Sequence, residues 1–180
     1  MNKKTINPEE LSFVQSINIS CQWCKEWEDE LLSDEVLADR INELIKNKNG
    51  IRGFFAYALS DMNCTLLDKL PTALIFIFRV QGVNVVDISI KNFIMSNAQI
   101  INHRRDKNKE YEAKSKIISE RCANLIQSLD TELITNKINQ IIKELDHMGN
   151  SFDDSIKYDK EQKEYILRRI DEIAIKKGPN

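Results

Sequence analysis

Two thiols stand three residues apart in Cys21-Gln22-Trp23-Cys24, and Cys64 and Cys122 complete a set of four cysteines. Thiol–disulfide chemistry needs such a pair at the start of a helix that follows a strand. There the free backbone N–H groups and the helix dipole stabilise a thiolate on the first cysteine. The second, one turn on, then attacks the mixed disulfide. Zinc needs four ligands, usually two such pairs. The other candidates, Cys64, Cys122, His103 and His147, have no finger-like spacing, so no metal site is assigned. A third reading leaves both thiols buried in the middle of a helix, as small and inert core residues.

The choice turns on residues 11–20 (LSFVQSINIS). Phe13, Ile17 and Ile19 fit a strand of period two. Leu11, Val14, Ile17, Cys21, Cys24, Trp27 and Leu31 fit a helix at steps of three and four. The strand is favoured, because Ile17, Asn18, Ile19 and Ser20 are poor helix formers together. It would place Cys21 at a helix start, with Ser20 as cap.

The elements around the pair read as a small sheet with helices. A helix from Ser33 to Gly50 has Ser33 as cap, Asp34 and Glu35 in its first turn, and Gly50 after its last. Phe54–Leu59 reads as a strand. Thr72–Val80 (TALIFIFRV) is an apolar run that reads as a strand buried on both faces. Val86, Ile88 and Ile90 alternate with polar residues in Val83–Lys91, which predicts a hairpin partner across Gln81 and Gly82. From Asn97 the chain reads as helix: to about Leu129, then Thr131–His147, then about Asp154–Lys177. Gly149–Asp154 is the expected linker.

Composition bounds the function classes. With 26 Lys+Arg against 28 Asp+Glu, the formal charge of -2 excludes a strongly basic nucleic-acid binder. No apolar run approaches the roughly 20 residues that span a bilayer. Lys3 and Lys4 are followed by Asn7, Pro8, Glu9 and Glu10, where a signal peptide needs an apolar stretch. A cytoplasmic protein with no membrane partner is expected. Only 5 Gly and 3 Pro in 180 residues predict few turns and long elements. The basic cluster His103-Arg104-Arg105 with Lys107, Lys109, Lys114 and Lys116 reads as a solvated helix face, so nucleic acid is disfavoured as a partner.

The run from Cys21 through the Ser33-Asp34-Glu35-Val36 restart to Ile41-Asn42 resembles the active-site segment of thioredoxin-like proteins, in the branch with a C-x-W-C motif. Leu70-Pro71-Thr72 before an apolar strand is similar to that family's cis-proline segment. The resemblance covers about residues 11–120. It implies an α/β fold of thioredoxin type, a small mixed sheet flanked by helices, in a domain of residues 1–129 with a helical C-terminal extension at 130–180. It also implies that Cys21 attacks and Cys24 resolves, that Pro71 is cis and shapes a substrate groove, and that Trp23 covers the pair. Lys25 could help hold a thiolate, and Cys64, just beyond the Phe54–Leu59 strand, could be a third thiol nearby.

The expected function is therefore a cytoplasmic thiol–disulfide oxidoreductase or redox-responsive protein, acting on protein thiols or disulfides, with no cofactor. The alternative is a redox-silent interaction module of the same fold. It would act through its C-terminal helices, whose stripes Ile134–Leu145 and Ile166–Ile173 would form a homodimer.

Overall fold

The computed structural model describes residues 11–146 and 158–176. It is all-helical, with no strand among the described residues. Among the described residues eight helices follow one another: α1 (Phe13–Glu28), α2 (Asp34–Ile45), α3 (Lys48–Ser60), α4 (Thr72–Gln81), α5 (Val83–Arg105), α6 (Lys109–Ser128), α7 (Thr131–Asp146) and α8 (Lys160–Lys176). The described residues hold no α/β thioredoxin-like sheet, and the resemblance that implied it is overturned. The chain divides into two compact units between Gln81 and Gly82. The boundary expected at 129–130 falls within the second unit, between α6 and α7.

Each misread strand has a physical reason. Thr72–Gln81 is apolar on nearly every side, and such a run does not distinguish a buried strand from a buried helix. Pro71 decides it by opening the helix: its carbonyl accepts from the N–H of Leu74 and of Ile75, both at 3.0 Å. Only Leu74 and Phe78 are then fully buried, while Phe76 and Val80 are 66% and 63% exposed. In α5 the buried residues come as Val85-Val86, Ser89-Ile90, Phe93-Ile94, Asn97-Ala98 and Ile100-Ile101. That is a helical repeat, within which Val86 and Ile90 lie one turn apart.

In the first unit α1 packs on α3, and α2 on α3 and α4. Phe54, Phe55 and Phe78 form the aromatic centre, with ring centroids 5.0, 5.6 and 5.9 Å apart. The α1–α3 seam is made of small residues: Ser16, Ser20 and Cys24 are buried at four-residue steps. A Cβ on Gly53 would lie 2.4 Å from the Ser16 Cβ. Gly50, expected to end the preceding helix, lies within α3; its Cβ would lie 1.8 Å from the Leu44 carbonyl oxygen.

In the second unit α6, α7 and α8 pack on α5. The buried Gln162 of α8 donates to the Asn102 side-chain oxygen at 2.9 Å and to the Ala98 carbonyl at 3.4 Å. Ile166, Ile170 and Ile173 are buried in this unit. They form the second of the two stripes expected to face another copy; in the first, Ile134 and Ile141 are also buried. Gly149–Asp154 and His147 lie outside the described residues.

Candidate functional site

Cys21 and Cys24 both lie well inside α1. Ser12 caps that helix in a reciprocal box with Gln15, so the first turn begins eight residues before Cys21. Neither thiol therefore stands at the N-terminus of α1, the position expected to stabilise a thiolate in a C-x-x-C.

What the fold supplies instead is a third thiol. α3 ends at Asp61, whose carboxylate accepts from the N–H of Asn63 at 2.8 Å and turns the chain back. The next residues meet the last turn of α1. The Glu28 carboxylate accepts from the Thr65 N–H at 2.7 Å and from its hydroxyl at 3.1 Å. Cys64 precedes Thr65, and Cys24 lies one turn before Glu28. Cys24 and Cys64 are thereby neighbours, close enough for each thiol to act on the other's ionisation. Both side chains are 0% exposed. Cys21 is partly exposed and lies near the Tyr57 hydroxyl of α3. All four cysteines are free thiols.

The electrostatics favour neutral sulfur at the inner position. The neighbouring Cys64 thiol, then burial, then the Glu28 carboxylate and Cys21 push the Cys24 thiol far above its ordinary value. Burial, followed by the neighbouring Cys21, holds the Tyr57 phenol well above its usual range. Cys122, in the second unit, is buried, and burial alone raises its thiol.

The other expected site residues are placed differently. Trp23 lines an apolar recess of about 330 Å³ with Leu11, Ile19, Arg40 and Leu44, and the Arg40 guanidinium lies 5.7 Å from its ring centroid. Pro71 opens α4 in the trans form; no described peptide bond is cis. The groove it was expected to shape belonged to a sheet that is not there. Lys25 is exposed. Among the described residues no group of three or more His, Cys, Asp and Glu is placed to hold a metal ion.

Four side chains of the basic cluster are paired with acids of the second unit. Arg105 pairs with Asp159 at 2.6 Å and with Glu161. Arg104 and Lys116 share Glu112 at 3.2 and 2.8 Å, and Lys114 pairs with Glu110 at 2.7 Å. Tyr165 lies against two guanidinium groups, Arg104 at 5.8 Å and Arg168 at 5.0 Å.

Sequence reasoning missed Tyr57, Glu28 and Thr65. A signal for the seam that brings them together was present: Ser16, Ser20 and Cys24 at four-residue steps, with Gly50 and Gly53 three apart.

A family model described as Uncharacterised conserved protein UCP020893 matches residues 12–173. No curated protein and no solved structure matches the chain.

Proposed function

Taking as premise that the chain belongs to the family of Uncharacterised conserved protein UCP020893, whose description assigns no chemistry, we propose that it is a redox-responsive protein of the cytoplasm. Its responsive element is the thiol cluster of Cys21, Cys24 and Cys64. The observation that carries this reading is the meeting of the buried Cys24 and Cys64, set by the two hydrogen bonds from Thr65 to Glu28. It joins sulfurs of two separate elements, so a bond between them would lock the residues after α3 to α1.

Within the redox class, a responsive protein is better supported than a turnover oxidoreductase. An oxidoreductase needs an accessible thiolate of low pKa. Here the inner thiol is buried and pushed the other way. Such sulfurs react slowly and hold their oxidation state, which suits a response to sustained oxidising conditions.

The test is to oxidise the reduced chain with diamide and count thiols. The reading requires two thiols lost per chain, unchanged monomer mass, and full return on adding dithiothreitol. If all four thiols remain under denaturing readout after oxidation of the native chain, the cluster is ordinary core packing and the reading is wrong.

A further inference from the structure

We infer that the cluster is a directional relay, in which Cys21 takes up the oxidising equivalent and Cys24 passes it to Cys64. This rests on the redox-responsive reading above. Cys21 is the partly exposed thiol of the three, whereas Cys24 and Cys64 are 0% exposed. A low-molecular-weight disulfide can therefore meet only Cys21. Cys24 is three residues along the same helix, and thiols at that spacing are neighbours. Cys24 in turn meets Cys64, which the hydrogen bonds from Thr65 to Glu28 hold against α1.

The steps balance. The Cys21 thiolate attacks an oxidant R–S–S–R, forms Cys21–S–S–R and releases R–S⁻, which takes up a proton. Cys24 attacks the Cys21 sulfur, forming Cys21–Cys24 and releasing the second R–S⁻, which takes up the Cys24 proton. Cys64 then attacks the Cys24 sulfur; the Cys24–Cys64 disulfide forms and the Cys21 thiolate leaves, taking up the proton Cys64 gave up. Overall, two protein thiols and R–S–S–R give one protein disulfide and two R–SH. The intermediate bridge spans i and i+3 of one helix, where the Cβ atoms lie about 5–6 Å apart, wider than a relaxed disulfide allows. Strain of this kind makes a disulfide more reducible and drives the last exchange forward.

The experiment uses the full chain and glutathione disulfide as oxidant, with peptide mapping of alkylated, non-reduced samples over time. Wild type is expected to show Cys21 glutathionylation first, then Cys24–Cys64, with Cys21 returned to a free thiol. Cys64→Ser is expected to stop at Cys21–Cys24. Cys21→Ser, and wild-type protein whose Cys21 has been blocked after folding with N-ethylmaleimide, are expected to form Cys24–Cys64 at least tenfold more slowly. If the blocked protein forms it at the wild-type rate, the relay is overturned while the redox-responsive reading stands. If wild type forms no intramolecular disulfide, both fall.

Discussion

The carboxylate of Glu28 holds Thr65 by two hydrogen bonds, at 2.7 Å to its N–H and 3.1 Å to its hydroxyl. This clamp sets Cys64 against Cys24. Bonds to a charged acceptor contribute about 1.5–3 kcal/mol, and less where solvent reaches the pair. Glu28→Ala is expected to lower the urea midpoint by about 1–2 kcal/mol equivalent and to let Cys64 alkylate under native conditions. An unchanged Cys64 alkylation rate would show that the clamp does not set the thiol's position.

The helical form of Thr72–Gln81 makes an asymmetric prediction. In a strand, Phe76 and Phe78 would share one face, two residues apart. In α4, Phe78 is fully buried and Phe76 is 66% exposed. Phe78→Ala should cost about 3–5 kcal/mol, as large-to-small core changes do, and Phe76→Ala well under about 1 kcal/mol. Equal costs, measured by chemical denaturation, would contradict the helix.

Gly53→Ala tests the α1–α3 seam. In an ordinary helix interior that change stabilises by about 0.5–1 kcal/mol. Here the new Cβ would meet the Ser16 Cβ at 2.4 Å and the backbone nitrogen of Ile17 at 3.0 Å. Net destabilisation of about 1–3 kcal/mol is expected from overpacking. Ser16→Gly in the same chain should recover part of it, and strict additivity in the double-mutant cycle would argue against close contact.

Acid should loosen the second unit through Asp159. The Arg105 guanidinium, then the Gln162 N–H, hold its carboxyl down to about 2, from an ordinary 3.8. A depressed value stabilises the folded form fully above the unfolded pKa, and the contribution fades as pH falls from about 4 towards 2. Hydrogen exchange of α8 should rise over that window. Arg105→Gln should flatten the dependence; an unchanged profile would remove the pair from the account.

The sequence made parts of this legible and hid others for physical reasons. The start of α2 was readable because its cap is local: Ser33 accepts from the Val36 N–H at 3.3 Å, with Asp34 and Glu35 in the first turn. Its end was not, because Gly50 serves the close approach of α3 to Leu44 rather than a helix stop. For α1, the helical alternative named only part of the buried face. Leu11 and Cys24 are buried, but Val14 and Leu31 are 63% and 72% exposed, while Ser16 and Ser20 are buried. Hydrophobicity does not mark a seam chosen for small volume. Those serines satisfy their hydroxyls within the helix, Ser20 on the Ser16 carbonyl at 2.7 Å and Ser16 on that of Ser12 at 2.9 Å. The stripe Ile166, Ile170 and Ile173 was legible as apolar, but not its partner, which lies in the same unit. The C-x-x-C drew attention to the right helix, and Asp61 and Asn63 marked the stop after Leu59, while the meeting of Cys24 with Cys64 depends on the contact of Thr65 with Glu28, 37 residues away, that no local pattern announces.

The most direct test is the stability of the oxidised chain against the reduced one. A Cys24–Cys64 bond closes a loop of about 40 residues, for which the chain-entropy model gives up to about 4 kcal/mol of stabilisation. Urea unfolding of diamide-oxidised protein, with the bridge located by non-reducing peptide mapping, should show Cys24–Cys64 and a midpoint above that of the reduced chain, reversed by dithiothreitol. An oxidised product lacking that bridge, or one carrying it with a lowered midpoint, would contradict a cluster already arranged in the native fold to form it.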